Sequence, residues 1–161
     1  MCSIIGAEDF DIPQPEFVEC FFRTKTRGPD MTRLCDTPAG RLGFHRLAIM
    51  DVNETGMQPF ALNGNYVVCN GELYGFRNLK NTLSSNYTFE SNSDCEIILP
   101  LYERYGLEMF KMLDAEFAMI LYDGKRNALI AARDPIGIRP LYYGKSKSGG
   151  MAFASEPQNL V

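Results

Sequence analysis

Cys2 follows Met1 directly, so cleavage of one methionine leaves a cysteine carrying a free α-amino group. Nucleophile and base then share one residue. An α-amine titrates at about 7.7 to 8.0 and a free thiol near about 8.5, so at neutral pH the amine can take the thiol proton without a separate histidine. By itself, a cysteine at position 2 is an ordinary residue of a chain terminus. What raises it is the lack of other chemistry. His45 is the only histidine, and a packed or hydrogen-bonded role is expected for it rather than a place in a triad. Cysteines 2, 20, 35, 69 and 95 form an odd set with no CxxC pair, which suits neither a disulfide framework nor a zinc site. Ser148-Gly149-Gly150 lacks the Lys-Ser/Thr and the following helix of a phosphate loop, and is read as a hairpin turn. No metal site is expected.

Three polar clusters interrupt apolar segments. Arg46 breaks Phe44 to Ile49, Asn70-Gly71-Glu72 ends Val67-Val68-Cys69, and Asp94 opens a helical stretch. Each has a plain explanation: a structural ion pair, a turn dipeptide, a helix-start carboxylate. Taken together they supply a guanidinium, carboxylates, a side-chain amide and a glycine N–H. That set can bind a free amino acid and stabilise an oxyanion.

The elements that must position these groups are read from periodicity. Residues 2–7 form a short buried strand, and the turn-rich stretch from Asp9 to Pro15 leads into a helix over 15–25 with Phe17, Val18, Phe21 and Phe22 on one face. Arg41 to Met50 is strand-like, Tyr66 to Cys69 is a strand, and 75–85 is an amphipathic helix. Ser93-Asp94-Cys95-Glu96 has the form of a capping box before a helix over 94–105, in which Pro100 predicts a kink or early break. A short helix follows at Leu107 to Leu113. Strands are then expected at 117–122, 129–132, 141–143 and 151–154, most of them apolar on both faces, with the helices as cover.

A chain of 161 residues makes one domain, and no apolar run approaches the roughly 20 residues of a membrane span. A net charge of -4 without a basic stripe argues against nucleic acid as partner. The N-terminus has neither the charge nor the apolar stretch of a secretory leader, so a cytoplasmic protein with reduced thiols is expected.

The ordered blocks Met1 to Gly6, Arg27-Gly28-Pro29-Asp30, His45 to Asp51, Asn70 to Tyr74, Ser93 to Glu96, Phe117 to Asp123, Arg133 to Tyr143 and Ala154-Ser155-Glu156 cover nearly the whole chain. Through them it resembles the glutaminase domain of class II glutamine amidotransferases, in particular that of glutamine-dependent asparagine synthetases. Thr26 stands where the family usually has histidine and Gly75 where it has asparagine. Neither position carries chemistry.

The resemblance implies an α+β fold of the N-terminal nucleophile hydrolase type, a four-layer αββα sandwich of two antiparallel sheets between helix layers, spanning 1–161. It implies that processed Cys2 attacks the side-chain amide of L-glutamine, with the Asn70 side chain and Gly71 N–H holding the oxyanion. Arg46, Leu47, Ala48, Ile49 and Met50 would line the substrate site, with Arg46 on the α-carboxylate and Glu72 and Asp94 on the α-ammonium. No cofactor is implied in this domain; ATP and Mg belong to a synthetase domain that the 161 residues do not contain. The implied partners are L-glutamine and an ATP-using synthetase domain or chain, with self-association left open. Two rivals remain: a catalytically silent glutamine-binding or structural module, and ammonia supply to a different acceptor.

Overall fold

A computed structural model describes residues 1–8, 12–146 and 148–161. Its strands are β1 (Ser3–Ala7), β2 (Met31–Thr37), β3 (Gly40–Arg46), β4 (Phe60–Leu62), β5 (Asn65–Leu73), β6 (Ala115–Asp123), β7 (Ala128–Arg133), β8 (Tyr142–Lys145) and β9 (Met151–Ala154). Its α-helices are α1 (Gln14–Phe22), α2 (Phe76–Leu83) and α3 (Ile98–Tyr105). Pairing is antiparallel throughout and builds two sheets, ordered β2-β3-β1-β9-β8 and β4-β5-β6-β7.

Strand alternation sorts the buried side chains into three interfaces. On one face of β5 and β6, Val67, Cys69, Leu73, Phe117, Met119 and Leu121 pack against Leu83 of α2 and Ile98, Leu101 and Tyr102 of α3. On the opposite face, Val68, Ala118, Ile120 and Tyr122 meet Ile4 of β1 and Leu42 and Phe44 of β3, which joins sheet to sheet. On the outer face of the first sheet, Ile5, Ala7 and Ala154 pack against Phe17 and Phe21 of α1. The result is the expected αββα layering. Glycines permit the close approaches: a Cβ on Gly6 would lie 3.0 Å from Ile120, and one on Gly43 2.7 Å from Ile5 and 3.0 Å from Phe21.

Several boundaries differ from the sequence reading. The Arg41 to Met50 strand ends at Arg46, because the chain leaves the sheet to build a loop around that guanidinium. The first helix stops at Phe22, and a 3-10 turn takes Lys25–Arg27; Phe17 and Phe21 face inward while Phe22 is nearly half exposed. Of the turn-rich stretch at 9–15, residues 9–11 lie outside those described. The capping box does not form. Glu96 accepts instead from the Glu90 and Ser91 N–H groups and the Ser91 hydroxyl, at 2.7, 2.9 and 2.6 Å, and Asp94 is engaged by β5. The preceding loop satisfies Glu96 and β5 satisfies Asp94 in place of the helix start, because buried carboxylates need several partners. Pro100 is accommodated by a change of winding: a 3-10 turn at Cys95–Ile97 precedes α3, so the proline falls in the first α-turn, where a missing N–H costs little. The helix expected at 107–113 is a 3-10 stretch, Gly106–Met112. Both β2, half exposed on the sheet edge, and the three-residue β4 escaped the pattern. The turn at 148–150 joins β8 to β9 as read, with Lys147 outside the described residues. Among the described residues, no helix is long and apolar enough to cross a membrane.

His45 is packed, not poised. Its ring stacks on Phe21 with centroids 3.7 Å apart, Nε2 faces the Phe21 carbonyl at 3.1 Å, and Nδ1 faces the Thr32 hydroxyl at 2.8 Å. Burial lowers its pKa from 6.5 to about 4. The unfolded chain therefore binds this proton more readily than the folded one, and the stabilisation is complete above pH 6.5 and drains away as pH falls towards 4. Urea unfolding between pH 7 and 4 should show this limb in the parent and lose most of it in His45→Gln; parallel profiles would contradict it.

Candidate active site

The Ser3↔His45 register of β1 against β3 sets Cys2 beside the point where β3 gives way to a loop. There the Leu47 N–H donates to the Cys2 Sγ at 3.4 Å, and the thiol faces the Leu47 carbonyl at 3.6 Å. Arg27 fixes the backbone of the same residue: its Nε–H donates to the Cys2 carbonyl at 3.1 Å, while its Nη1 pairs with Glu156 at 2.8 Å. Gly28 lies so close to the His45 carbonyl that any Cβ would come within 2.2 Å of it, and Asp30 accepts from the Ala48 N–H at 2.7 Å. The Arg27 to Asp30 block thus seats Cys2 and Leu47 together. Burial pushes the thiol pKa up, opposed by the Leu47 hydrogen bond and the terminal ammonium. With Met1 attached the thiol is held protonated at neutral pH.

Arg46 is buried, and its guanidinium donates to the carbonyls of Asn53 at 2.6 Å, Met50 at 3.2 Å and Asp51. It organises the 47–53 loop from within. Asp51 extends the tie, accepting from the Asn92 N–H at 2.8 Å and so linking this loop to the turn that carries Asp94.

The second half of the site comes from β5. Odd-numbered residues of this strand turn their backbone groups away from β6, as the bonding of Cys69 to Gln58 shows. Phe117, opposite Gly71, agrees: it exchanges its own backbone bonds with Asp134. Along this outer edge Gln58 takes Cys69 and the Asp94 carboxylate accepts the Leu73 N–H at 2.7 Å. Between them, the Gly71 N–H meets no acceptor among the described residues. Asn70, 3% exposed, shares the inward face with Val68, and its Nδ2 has no hydrogen-bond partner among the described residues. A buried donor without a partner costs about 1 to 3 kcal/mol, so the Asn70 amide calls for a ligand, and the half-buried Gly71 N–H stands beside it on the strand.

These groups meet in a cleft of about 170 Å³ lined by Cys2, Arg46, Leu47, Ile49, Met50, Asn70, Gly71, Glu72, Asp94 and Arg139, among others. All the candidate residues line it except Ala48, which is set back with its N–H on Asp30. Ile49 lies at the mouth, 76% exposed. Glu72 and Asp94 give one wall a negative character, whereas Arg46 and Arg139 supply positive charge. A larger hollow of about 460 Å³ lies between α1 and β8–β9 and holds none of the candidate residues.

Residue reading passed over several contributors. Gln58 looked like any polar loop residue, with only Pro59 after it as a signal. Asp134 accepts from the N–H groups of Phe117, Ile136, Gly137, Ile138 and Arg139 at 2.6 to 3.2 Å, fixing the loop that delivers Arg139 to Glu116 and the cleft. Its block, Arg133 to Tyr143, carries part of the family resemblance, whereas its role as a hub has no local signal. Among the described residues, no three His, Cys, Asp or Glu side chains gather as a metal cluster.

The cleft thus brings the Cys2 thiol and the unpartnered Asn70 amide to one space between the two sheets. In comparison with known proteins, a family model described as "Glutamine amidotransferase domain" matches residues 1–161. The chain belongs to that family. It is 42% identical over 172 residues to a "Probable asparagine synthetase [glutamine-hydrolyzing]" of Acanthamoeba polyphaga mimivirus, covering 99% of this chain and 30% of the relative. It is 36% identical over 167 residues to "Asparagine synthetase B [glutamine-hydrolyzing]" of Escherichia coli, covering 100% and 30%. "Amidase chry2" of Gibberella zeae is 45% identical over 121 residues, 73% of this chain and 18% of the relative. The chain thus spans 30% of the length of these synthetase relatives.

Gly71 has no room for a side chain, since a Cβ would come within 2.6 Å of the Glu116 carbonyl and 2.8 Å of Phe117. Gly71→Ala should force β5 from β6 and destabilise the fold by about 1 to 3 kcal/mol. Thermal unfolding measures this; an unchanged midpoint would show that the strands have slack.

Proposed function

We propose that this domain hydrolyses the side-chain amide of L-glutamine through a Cys2 thioester, and that the ammonia serves an ATP-dependent amidation on an asparagine synthetase-type domain or chain in the cytoplasm. The observation that carries the reading is the convergence of one thiol with two unclaimed donors, Asn70 Nδ2 and Gly71 N–H, in a cleft that also offers both signs of charge. Once Met1 is removed, the Cys2 amine takes the thiol proton and the thiolate adds to the amide carbon. Asn70 and Gly71 hold the resulting oxyanion. Collapse, with the proton returned to the leaving nitrogen, expels ammonia and leaves the thioester, which water opens to glutamate. Glu72 and Asp94 bind the α-ammonium, and Arg46 supplies the field for the α-carboxylate while its loop, Leu47 to Met50, walls the cleft. No cofactor is assigned to this domain; ATP and Mg act where the ammonia is used.

The thiol, the donors and the charged groups line one cleft, which supports an enzyme over a silent module. The match to a relative named an amidase favours a second reading for the acceptor alone, that the nitrogen goes to something other than aspartate. Adding an asparagine synthetase-type chain with aspartate and ATP distinguishes the two by whether asparagine forms.

Glutamine-to-glutamate conversion by purified protein tests the chemistry. Cys2→Ala should abolish it, and Asn70→Ala should lower kcat by about two to three decades, the 2.7 to 4 kcal/mol that an oxyanion donor typically contributes. Intact mass should show Met1 absent from active protein. Turnover that survives Cys2→Ala, or full activity with Met1 retained, would sink the mechanism.

A further inference from the structure

We infer that Gln58 is a positioning residue for the oxyanion hole, an inference that rests on the hydrolase reading above. Pairing of β4 with β5 reaches only from Leu62↔Asn65 to Phe60↔Val67, so beyond Val67 the outer edge of β5 has no paired strand among the described residues. Gln58 replaces that neighbour with a side chain. Its amide oxygen accepts the Cys69 N–H at 2.5 Å, and its amide nitrogen donates to the Cys69 carbonyl at 3.1 Å. The two bonds are those that a facing strand residue would make. Gln58 and Cys69 are both buried, so water cannot take over either bond if the side chain is lost.

The position along the strand gives this clamp its consequence. Cys69 is held by Gln58 and Leu73 by Asp94, and the only odd-numbered residue between them is Gly71, the one with the unclaimed N–H. Asn70 lies between Cys69 and Gly71 on the same strand. Any slip or rotation of the Cys69 peptide therefore carries into both oxyanion donors, while the opposite edge stays tied to β6. Little movement is needed. Oxyanion donors act at about 2.7 to 3.1 Å, and a misplacement of about 1 Å costs on the order of 10²-fold in rate. The requirement is specific for a group that accepts and donates at once. Leucine does neither. An ionised glutamate accepts from the N–H but turns negative charge on the carbonyl, and a protonated one restores both bonds.

The test compares parent, Gln58→Leu and Gln58→Glu as processed proteins. It measures steady-state glutamine hydrolysis, binding of L-glutamate, and binding of glutamate γ-semialdehyde, whose open-chain fraction, in equilibrium with its cyclic imine, adds the Cys2 thiol to give a hemithioacetal with its oxygen at the hole. Gln58→Leu should lower kcat by about 30- to 100-fold with KM within about threefold, and weaken the aldehyde by a similar factor. Glutamate binding and Cys2 alkylation by iodoacetamide should change less than about threefold. Gln58→Glu should recover part of the lost rate, relative to parent, as the pH is lowered. A kcat within about threefold of parent, or equal weakening of aldehyde and glutamate, would overturn the assignment. Absence of hydrolysis by the parent would instead defeat the hydrolase reading. The positioning then rests on NMR, where substitution must shift the Gly71 amide resonance and speed exchange at Cys69; unmoved signals overturn it. If the leucine variant does not fold, the glutamate variant carries the same measurements across pH.

Discussion

A strand edge that is closed on both sides of one residue and open at that residue is the constraint on which the rest of this structure depends. Backbone groups in a folded interior demand partners, and β5 meets the demand with β4 at its start, a glutamine side chain at Cys69 and a carboxylate at Leu73. The Gly71 N–H is left over, next to an asparagine amide that also lacks a partner. The buried Asn70 amide is costly without a partner, and the pair is useful to a substrate whose carbonyl oxygen gains charge during reaction. The same logic explains the glycine. Only a residue without a Cβ lets β5 lie against Glu116 and Phe117 while keeping its N–H toward the cleft.

The layered core brings the nucleophile to that opening. β1 and β3 stack on β5 and β6 through Ile4, Leu42, Phe44, Val68, Ala118 and Ile120, so the start of β1 ends up across the inter-sheet space from Asn70. Cys2 contributes little to its own placement. Leu47 bonds the sulfur, Arg27 bonds the carbonyl, and Glu156 steadies Arg27, so residues from three distant stretches agree on one position. Arg46 acts similarly for the neighbouring loop, spending much of its hydrogen-bonding capacity on carbonyls of 50, 51 and 53. A buried guanidinium used in this way gives a loop without secondary structure a defined shape, and leaves a positive field beside the cleft.

Much of the fold was legible because its strongest elements carry their own signal. β6, with seven successive buried residues from Phe117 to Asp123, and the stripe of Ile98, Leu101 and Tyr102 in α3 could be read from hydrophobic pattern alone. Edge elements were not, since β2 shows mostly exposed side chains and β4 has three residues. Ser93 to Glu96 shows a local rule losing to tertiary demand. Its spacing suits a capping box, yet Glu96 serves residues 90 and 91 and Asp94 serves β5, because burial gave those carboxylates better donors than the helix start could.

By itself the sequence determined which chemistry was available: a thiol one residue from the terminus, a single histidine, and Arg46, Asn70, Gly71, Glu72 and Asp94 as the polar groups set into apolar segments. Residue types and local spacing carry that much, because nucleophilicity, charge and hydrogen-bonding capacity belong to the side chains themselves. Only the tertiary structure decided which of their donors are free. His45 is satisfied by Phe21 and Thr32, much of Arg46 by its own loop, and Cys69 by Gln58, while Asn70 Nδ2 and Gly71 N–H are left for a substrate. Whether a hydrogen bond is already made depends on partners far away in the chain, and no local pattern encodes that.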